Sequence, residues 1–131
     1  MSHQDLANQF NNFAYELTTH HLSINDKVIS IQDEIFLRRI IFSRYYYALY
    51  HKYLEHNPKL SASTGTNIHS VIRDNIRNRG DAKLKQVFLK LRTLRTWSDY
   101  QLSEDPEAVS LNLQRLTQDV YNIVKRANIN C

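Results

Sequence analysis

Residues 35–55, IFLRRIIFSRYYYALYHKYLE, contain neither glycine nor proline and carry four cations among isoleucines, leucines, phenylalanines and tyrosines. Wound at about 100° per residue, they leave no wide polar face. Ile35, Phe42, Leu49 and Tyr53 share one side, and Phe36, Ile40, Tyr47 and Leu54 another, with Leu37, Ile41 and Ala48 closing the gap. A helix apolar nearly all round belongs at the centre of a helical domain. Arg38, Arg39, Arg44 and Lys52 argue against reading it as a membrane span.

The remaining chain agrees with long helices and few connections, because its 131 residues include only two glycines and two prolines. Sheet proteins need many tight turns. A first helix is expected over about residues 4–20, with Leu6, Phe10, Phe13 and Leu17 as its apolar stripe. Residues 23–32 read as a connection turning at Asn25-Asp26. Pro58 stops the central helix, and a polar loop runs from Lys59 to Thr66. Thr66 then caps a short helix reaching Asn78, with Gly80 just past its end. A fourth helix spans about 81–98 on a stripe of Leu84, Val87, Phe88, Leu91 and Leu94. The last opens at Ser103-Glu104-Asp105-Pro106 and carries Val109, Leu113, Leu116, Val120, Ile123 and Val124 within an arc of about 100°. The expectation is one all-α domain over 1–131, an antiparallel helical bundle of four long helices plus one short helix.

Cys131 permits no internal disulfide, and MSHQDLANQF has neither the basic start nor the apolar core of a signal peptide, so a cytoplasmic protein is expected. The net charge is +4, and it is polarised. Arg73, Arg77, Arg79, Lys83, Lys85, Lys90, Arg92 and Arg95 face only Asp74 and Asp81 within residues 71–95. Such a segment is either a solvated helix face or a site for an anionic partner, RNA first. DNA is a further reading, though no recognition-helix signature accompanies it.

Several residues are suited to chemistry. Arg44 and His51 stand two turns apart, about 20° from one another around the helix. An imidazole can take a proton from a ribose 2′-hydroxyl near neutrality, and a guanidinium matches the charge developing on phosphate oxygens. The alternative is a structural arginine and a core histidine. Tyr45, Tyr46, Tyr47, Tyr50 and Tyr53 either stack on unpaired bases or fill a core or an interface. Arg95 projects into the apolar arc of its helix and needs a partner there, which Asp99 supplies at i+4, flanked by Trp97 and Tyr100. His20-His21 lack further ligands at useful spacing, so no metal is expected. No glycine-rich phosphate loop, Ser-His-Asp arrangement or cofactor motif is present.

Two of these segments and a third between them resemble motifs of the HEPN superfamily, small helical domains of prokaryotic toxin–antitoxin, antiviral and RNA-processing systems. Residues 43–51, SRYYYALYH, resemble the S-R-x-Y-Y-A-hydrophobic-aromatic-H signature on the long second helix of one branch. Residues 94–100, LRTWSDY, resemble that branch's L-R-x-x-A-D-Y motif, with Ser98 replacing alanine. His69-Ser70-Val71-Ile72 resembles the H-x-x-hydrophobic stretch opening the third helix, and the likeness covers about residues 34–125. It implies a metal-independent ribonuclease in which Arg44 and His51 satisfy an R-x(4–6)-H motif. In better-understood nucleases that motif lies near the position of Arg95 to Tyr100, where this chain has Arg and Asp but no His. A non-catalytic nucleotide-, RNA- or protein-binding module is therefore the alternative. The resemblance further implies a homodimer and a nucleotidyltransferase partner. On this reading Tyr47, Arg95, Asp99 and Tyr100 line a polar cleft, and Arg73, Arg77, Arg79, Lys83, Lys85 and Arg92 hold RNA.

Overall fold

The computed structural model describes residues 2–23, 31–61, 68–100 and 110–126. Among them the chain is all-α, with α1 (His3–Ser23), α2 (Ile31–His56), α3 (Pro58–Ser61), α4 (Ile68–Arg79), α5 (Ala82–Tyr100) and α6 (Leu113–Val124). The Asn25-Asp26 turn, the Thr66 cap and the Ser103–Pro106 opening lie outside the described residues. The loop expected from Lys59 opens instead as α3, because Pro58 suits a first helical position, where no N–H is required.

Polar groups fix the helix ends. Ser2 and Asp5 cap α1 reciprocally, each side chain accepting from the other's backbone N–H at 3.1 Å. Asp81 caps α5 by accepting Leu84 N–H at 2.8 Å. At the other end of α5, Arg39 of α2 donates to the carbonyls of Trp97 and Ser98 at 2.7 and 3.1 Å. A cation there satisfies carbonyls that the helix leaves open and meets the negative end of its dipole. Gly80 follows α4 without the left-handed backbone expected of a helix-terminating glycine. Its place is set by close approach, since a Cβ there would stand 2.8 Å from the Ile76 carbonyl oxygen.

The last helix departs from expectation. Apolar periodicity runs unbroken into it, yet Leu111 and Asn112 are not helical and α6 begins at Leu113. The Asn112 side chain accepts Arg115 N–H at 3.1 Å, and the freed Leu111 carbonyl accepts from Arg38 Nη1 at 2.9 Å. Local capping and a long-range guanidinium thus override the pattern. The described helix has 12 residues, not the long element expected. Asn112→Ala is expected to cost about 1 kcal/mol in chemical denaturation, with Asn112→Asp close to wild type.

The core lies around α2, which packs on α1, α5 and α6. Ile35, Ile41, Phe42, Tyr45, Tyr46, Ala48, Leu49, Tyr53 and Leu54 are buried, so three of the five tyrosines are core residues. Their hydroxyls reach polar partners, Tyr45 on Thr117 of α6 at 2.9 Å and Tyr53 on Asn75 of α4. The α1 stripe is a correction. Phe13 is 48% exposed and Leu6, Phe10 and Leu17 are only half-buried, while Ala7, Asn11, Ala14 and Thr18 are buried. These small residues recur at helical spacing and let the α1 backbone approach α2 closely, with the larger side chains straddling the contact. The start of α1 meets the end of α2, where Gln4 N–H donates to Glu55 at 2.9 Å and buried Lys52 donates to Gln4 Oε1 at 2.8 Å.

One edge of α2 remains open. Phe36 is 62% exposed and Ile40, Ser43, Arg44 and Tyr47 are half-buried, so the helix is not enclosed on every side. Among the described residues no helix is long and apolar enough to cross a membrane.

Candidate functional site

The open edge of α2 faces the last turns of α5. Phe42 packs near Trp97 with ring centroids 6.3 Å apart, and the Arg39 guanidinium lies 4.1 Å from the Trp97 ring centroid. Above that seam, Arg39, Ile40, Ser43 and Arg44 of α2 and Ser98 and Asp99 of α5 line a cleft of about 160 Å³. Arg95 and Asp99 form the ion pair expected from their spacing, at 3.4 Å. The largely buried Arg95 guanidinium also lies 5.0 Å from the Tyr46 and 5.6 Å from the Tyr47 ring centroid. Aromatic faces attract a cation taken out of water. The cleft therefore holds Arg44 and Asp99, with Arg95 and Tyr47 joined to it through the Arg95–Asp99 pair, while of Tyr100 only the helical backbone is described.

His51 is placed otherwise. It lies on the same side of α2 as Arg44, and both pack on Phe10 of α1, the Arg44 guanidinium at 5.7 Å and the His51 ring stacked at 5.6 Å. Arg44 reaches the cleft, but His51 Nδ1 is engaged with His3 Nδ1 at 2.9 Å beneath a second stacked ring. Burial and the neighbouring His3 push His51 down from 6.5 to about 4, so its imidazole is neutral at pH 7. The Arg44–His51 pair is one stripe along α2 whose two members meet different surroundings.

That placement has a pH signature. A histidine held below its unfolded value contributes stability above about pH 6.5, and the contribution is lost as pH falls toward 4. His51 is only half-buried, so solvent screening reduces the effect to about 1–2 kcal/mol. Urea unfolding at pH 7.5 and 5.0 measures it. The difference is expected to shrink in His51→Phe, which keeps a ring on Phe10 and removes the titration.

His69 is not singled out as a site residue by helical spacing. It opens α4 and sits against the tyrosines, its Nδ1 2.7 Å from the Tyr46 hydroxyl and its ring centroid 5.0 Å from Tyr50 and 6.1 Å from Tyr47. Burial and then the charges of Arg95 and Arg92 hold its pKa below the usual histidine value. Burial likewise raises the Tyr46 phenol, so Tyr46 keeps its proton. The motif resemblance marks His69, but helical spacing cannot connect a residue on α4 to a guanidinium on α5.

The basic segment does not form one surface. Arg92 is half-buried and bears on the charge of His69, whereas Lys83 pairs with Asp119 of α6 at 3.1 Å and, with Lys90 and Arg115, lines a separate groove of about 300 Å³. Arg73 bonds its neighbour Asp74 at 3.1 Å, Arg77 and Arg79 are exposed, and Lys85 is half-buried. A helix distributes closely spaced cations around its axis, so a charge run in sequence becomes two faces in space. No family model matches the chain, and comparisons with curated proteins and with solved structures also return no match.

Proposed function

We propose that the chain is a cytoplasmic HEPN-type domain that binds RNA in the α2–α5 cleft and cleaves it without a metal. The carrying observation is the guanidinium of Arg95 laid over Tyr46 and Tyr47 and paired with Asp99, which lines the α2–α5 cleft beside Arg44. Two planar cations suit a phosphodiester, and half-buried Tyr47 and Tyr50 offer rings to an unpaired base. A neutral imidazole can take the 2′-hydroxyl proton, and the R-x(4–6)-H spacing nominates His51 for it. The reading includes the antiparallel arrangement of four helices and a homodimer built on the edge bearing exposed Phe13 and Phe36. A nucleotidyltransferase is the protein partner it favours.

A second reading is a non-catalytic RNA- or nucleotide-binding module, favoured by the engagement of His51 with His3. One experiment separates them. Fluorescence anisotropy with a single-stranded RNA at rising salt measures binding, and gel analysis in EDTA measures cleavage. Salt-sensitive binding with 2′,3′-cyclic phosphate ends, both weakened in Arg44→Ala, supports the enzyme. Binding with intact RNA leaves the module, and absence of binding removes RNA from the account.

A further inference from the structure

We infer that the corner where the start of α1 meets the ends of α2 and α6 is a second binding site, for a small polyhydroxylated phosphomonoester, with the Lys52 ammonium seating the phosphate. The inference does not depend on RNA cleavage. Lys52, Glu55 and His56 of α2, Gln4 and Asn8 of α1 and the end of α6 line a cavity of about 460 Å³ there, a size that suits a small ligand. None of the residues lining the α2–α5 cleft lines it.

Lys52 carries the argument. It is 4% exposed, and its Nζ donates to a neutral group, Gln4 Oε1, at 2.8 Å. An ammonium can only donate, so Gln4 presents its oxygen to Lys52 and its N–H₂ group to Asn8 Oδ1, at 3.0 Å. The Asn8 N–H₂ group is thereby left for a ligand, as are the remaining donors of Nζ. Among the described residues no carboxylate pairs with Lys52. A cation taken out of water needs a counter-charge. Nor do the helix ends take up this one. At the end of α2, Asn57 donates to the carbonyls of Tyr53 and Leu54, and at the end of α6 the N–H groups of Lys125 and Arg126 reach the carbonyls of Tyr121 and Ile123. Capping there is local, and the Lys52 charge is left to the cavity it lines.

The lining decides the chemistry of the guest. Lys125 adds an exposed ammonium at the rim, while Arg126 is balanced by Asp81. The opposing carboxylate is Glu55, which is exposed and accepts Gln4 N–H at 2.9 Å. Ammonium and amide donors gathered in one cavity suit an oxyanion, and a terminal phosphate has more charge and more oxygens to share among them than a carboxylate has. Among the described residues lining the cavity Val124 alone is apolar, so the remainder of the ligand is polar as well. Hydroxyl groups can give hydrogen bonds to the Glu55 carboxylate, whereas a nucleobase would need an aromatic or apolar wall against its face. A short polyol chain ending in a phosphate meets both conditions.

The test uses the full chain and isothermal titration with ribitol 5-phosphate, which has no aldehyde to condense with a lysine, beside ribitol and sulfate. Wild type is expected to bind ribitol 5-phosphate about tenfold or more tightly than either control, since ribitol lacks the charge and sulfate the hydroxyl groups. Lys52→Met keeps the length of the stem and removes the charge. It is expected to weaken binding by about ten- to hundredfold, the range for a hydrogen bond to a charged group. Gln4→Glu sets a carboxylate on Lys52 in the same volume and is expected to weaken binding about tenfold or more in a protein still folded by circular dichroism. That variant carries the test even where Lys52→Met does not fold. Lys125→Met, at the exposed rim, is expected to weaken binding about two- to fivefold. Absence of ribitol 5-phosphate binding, equal affinity for ribitol or sulfate, or wild-type affinity in Lys52→Met or Gln4→Glu overturns the site. None of these readouts depends on whether the chain binds or cleaves RNA.

Discussion

Trp97→Ala is expected to destabilise the protein by about 3–5 kcal/mol in urea unfolding, the range for truncating a large buried aromatic. Trp97 is 1% exposed and packs near Phe42 where the last turn of α5 meets α2. Its loss also removes the plane on which the Arg39 guanidinium rests, 4.1 Å from the ring centroid. Arg39 holds the last carbonyls of α5, so the end of that helix loses its cap together with its packing. Trp97→Phe separates the two effects: it keeps a ring for both neighbours and is expected to recover more than half of the loss. The carbonyl bonds alone are read by Arg39→Met, expected to cost about 1–3 kcal/mol, since hydrogen bonds from a charged donor fall in that range.

Arg95→Ala is the substitution expected to change function most. The side chain is largely buried between an aspartate and two tyrosine rings, with Asp99 at 3.4 Å. Removing it leaves the Asp99 carboxylate without its paired cation and weakens the positive field of the cleft, which Arg39 and Arg44 still line. RNA affinity is expected to fall at least tenfold and cleavage by about 10²–10³-fold. Arg95→Lys is expected to restore much of the binding and little of the rate, because an ammonium supplies charge but not the planar fork or the stacking. Anisotropy titrations at two salt concentrations and single-turnover rates in EDTA give both numbers. Equal rates in Arg95→Ala and wild type would remove the cleft from the chemistry.

Much of the fold is legible in the sequence because it depends on period. The stripes on α5 and α6 are buried as their spacing requires, and α2 is the helix around which the core forms. Two features are not legible, because each is set by what the helix packs against. The α1 stripe is drawn through its largest side chains, but tight helix packing favours Ala7, Asn11, Ala14 and Thr18, and hydrophobicity alone cannot rank close approach above bulk. The break before α6 depends on Arg38, which meets the Leu111 carbonyl 73 positions away in sequence.

The site divides along the same line. Arg95 with Asp99 is readable because both lie on one helix at i+4, and the pair forms. Arg44 and His51 are readable as neighbours on α2, but not the difference between them, which α1 imposes through His3 and Phe10. His69 is not readable from spacing at all. Its relation to Tyr46 and Arg95 exists only once α4 and α5 are folded against α2.

The small-residue face of α1 has a consequence for how the molecule accommodates a guest. Arg44, Tyr47, Tyr50 and His51 all project from one helix that α1 clamps at short range, so that wall is a rigid ruler with marks at fixed intervals. The opposite wall is mounted differently. α4 touches α2 chiefly through the tips of side chains, Tyr46 on His69 and Tyr53 on Asn75, rather than through interlocked backbones. Substitutions on α4 are therefore expected to change which ligands bind more than substitutions on the α1-facing side of α2, as competition binding with ligands of different size would read.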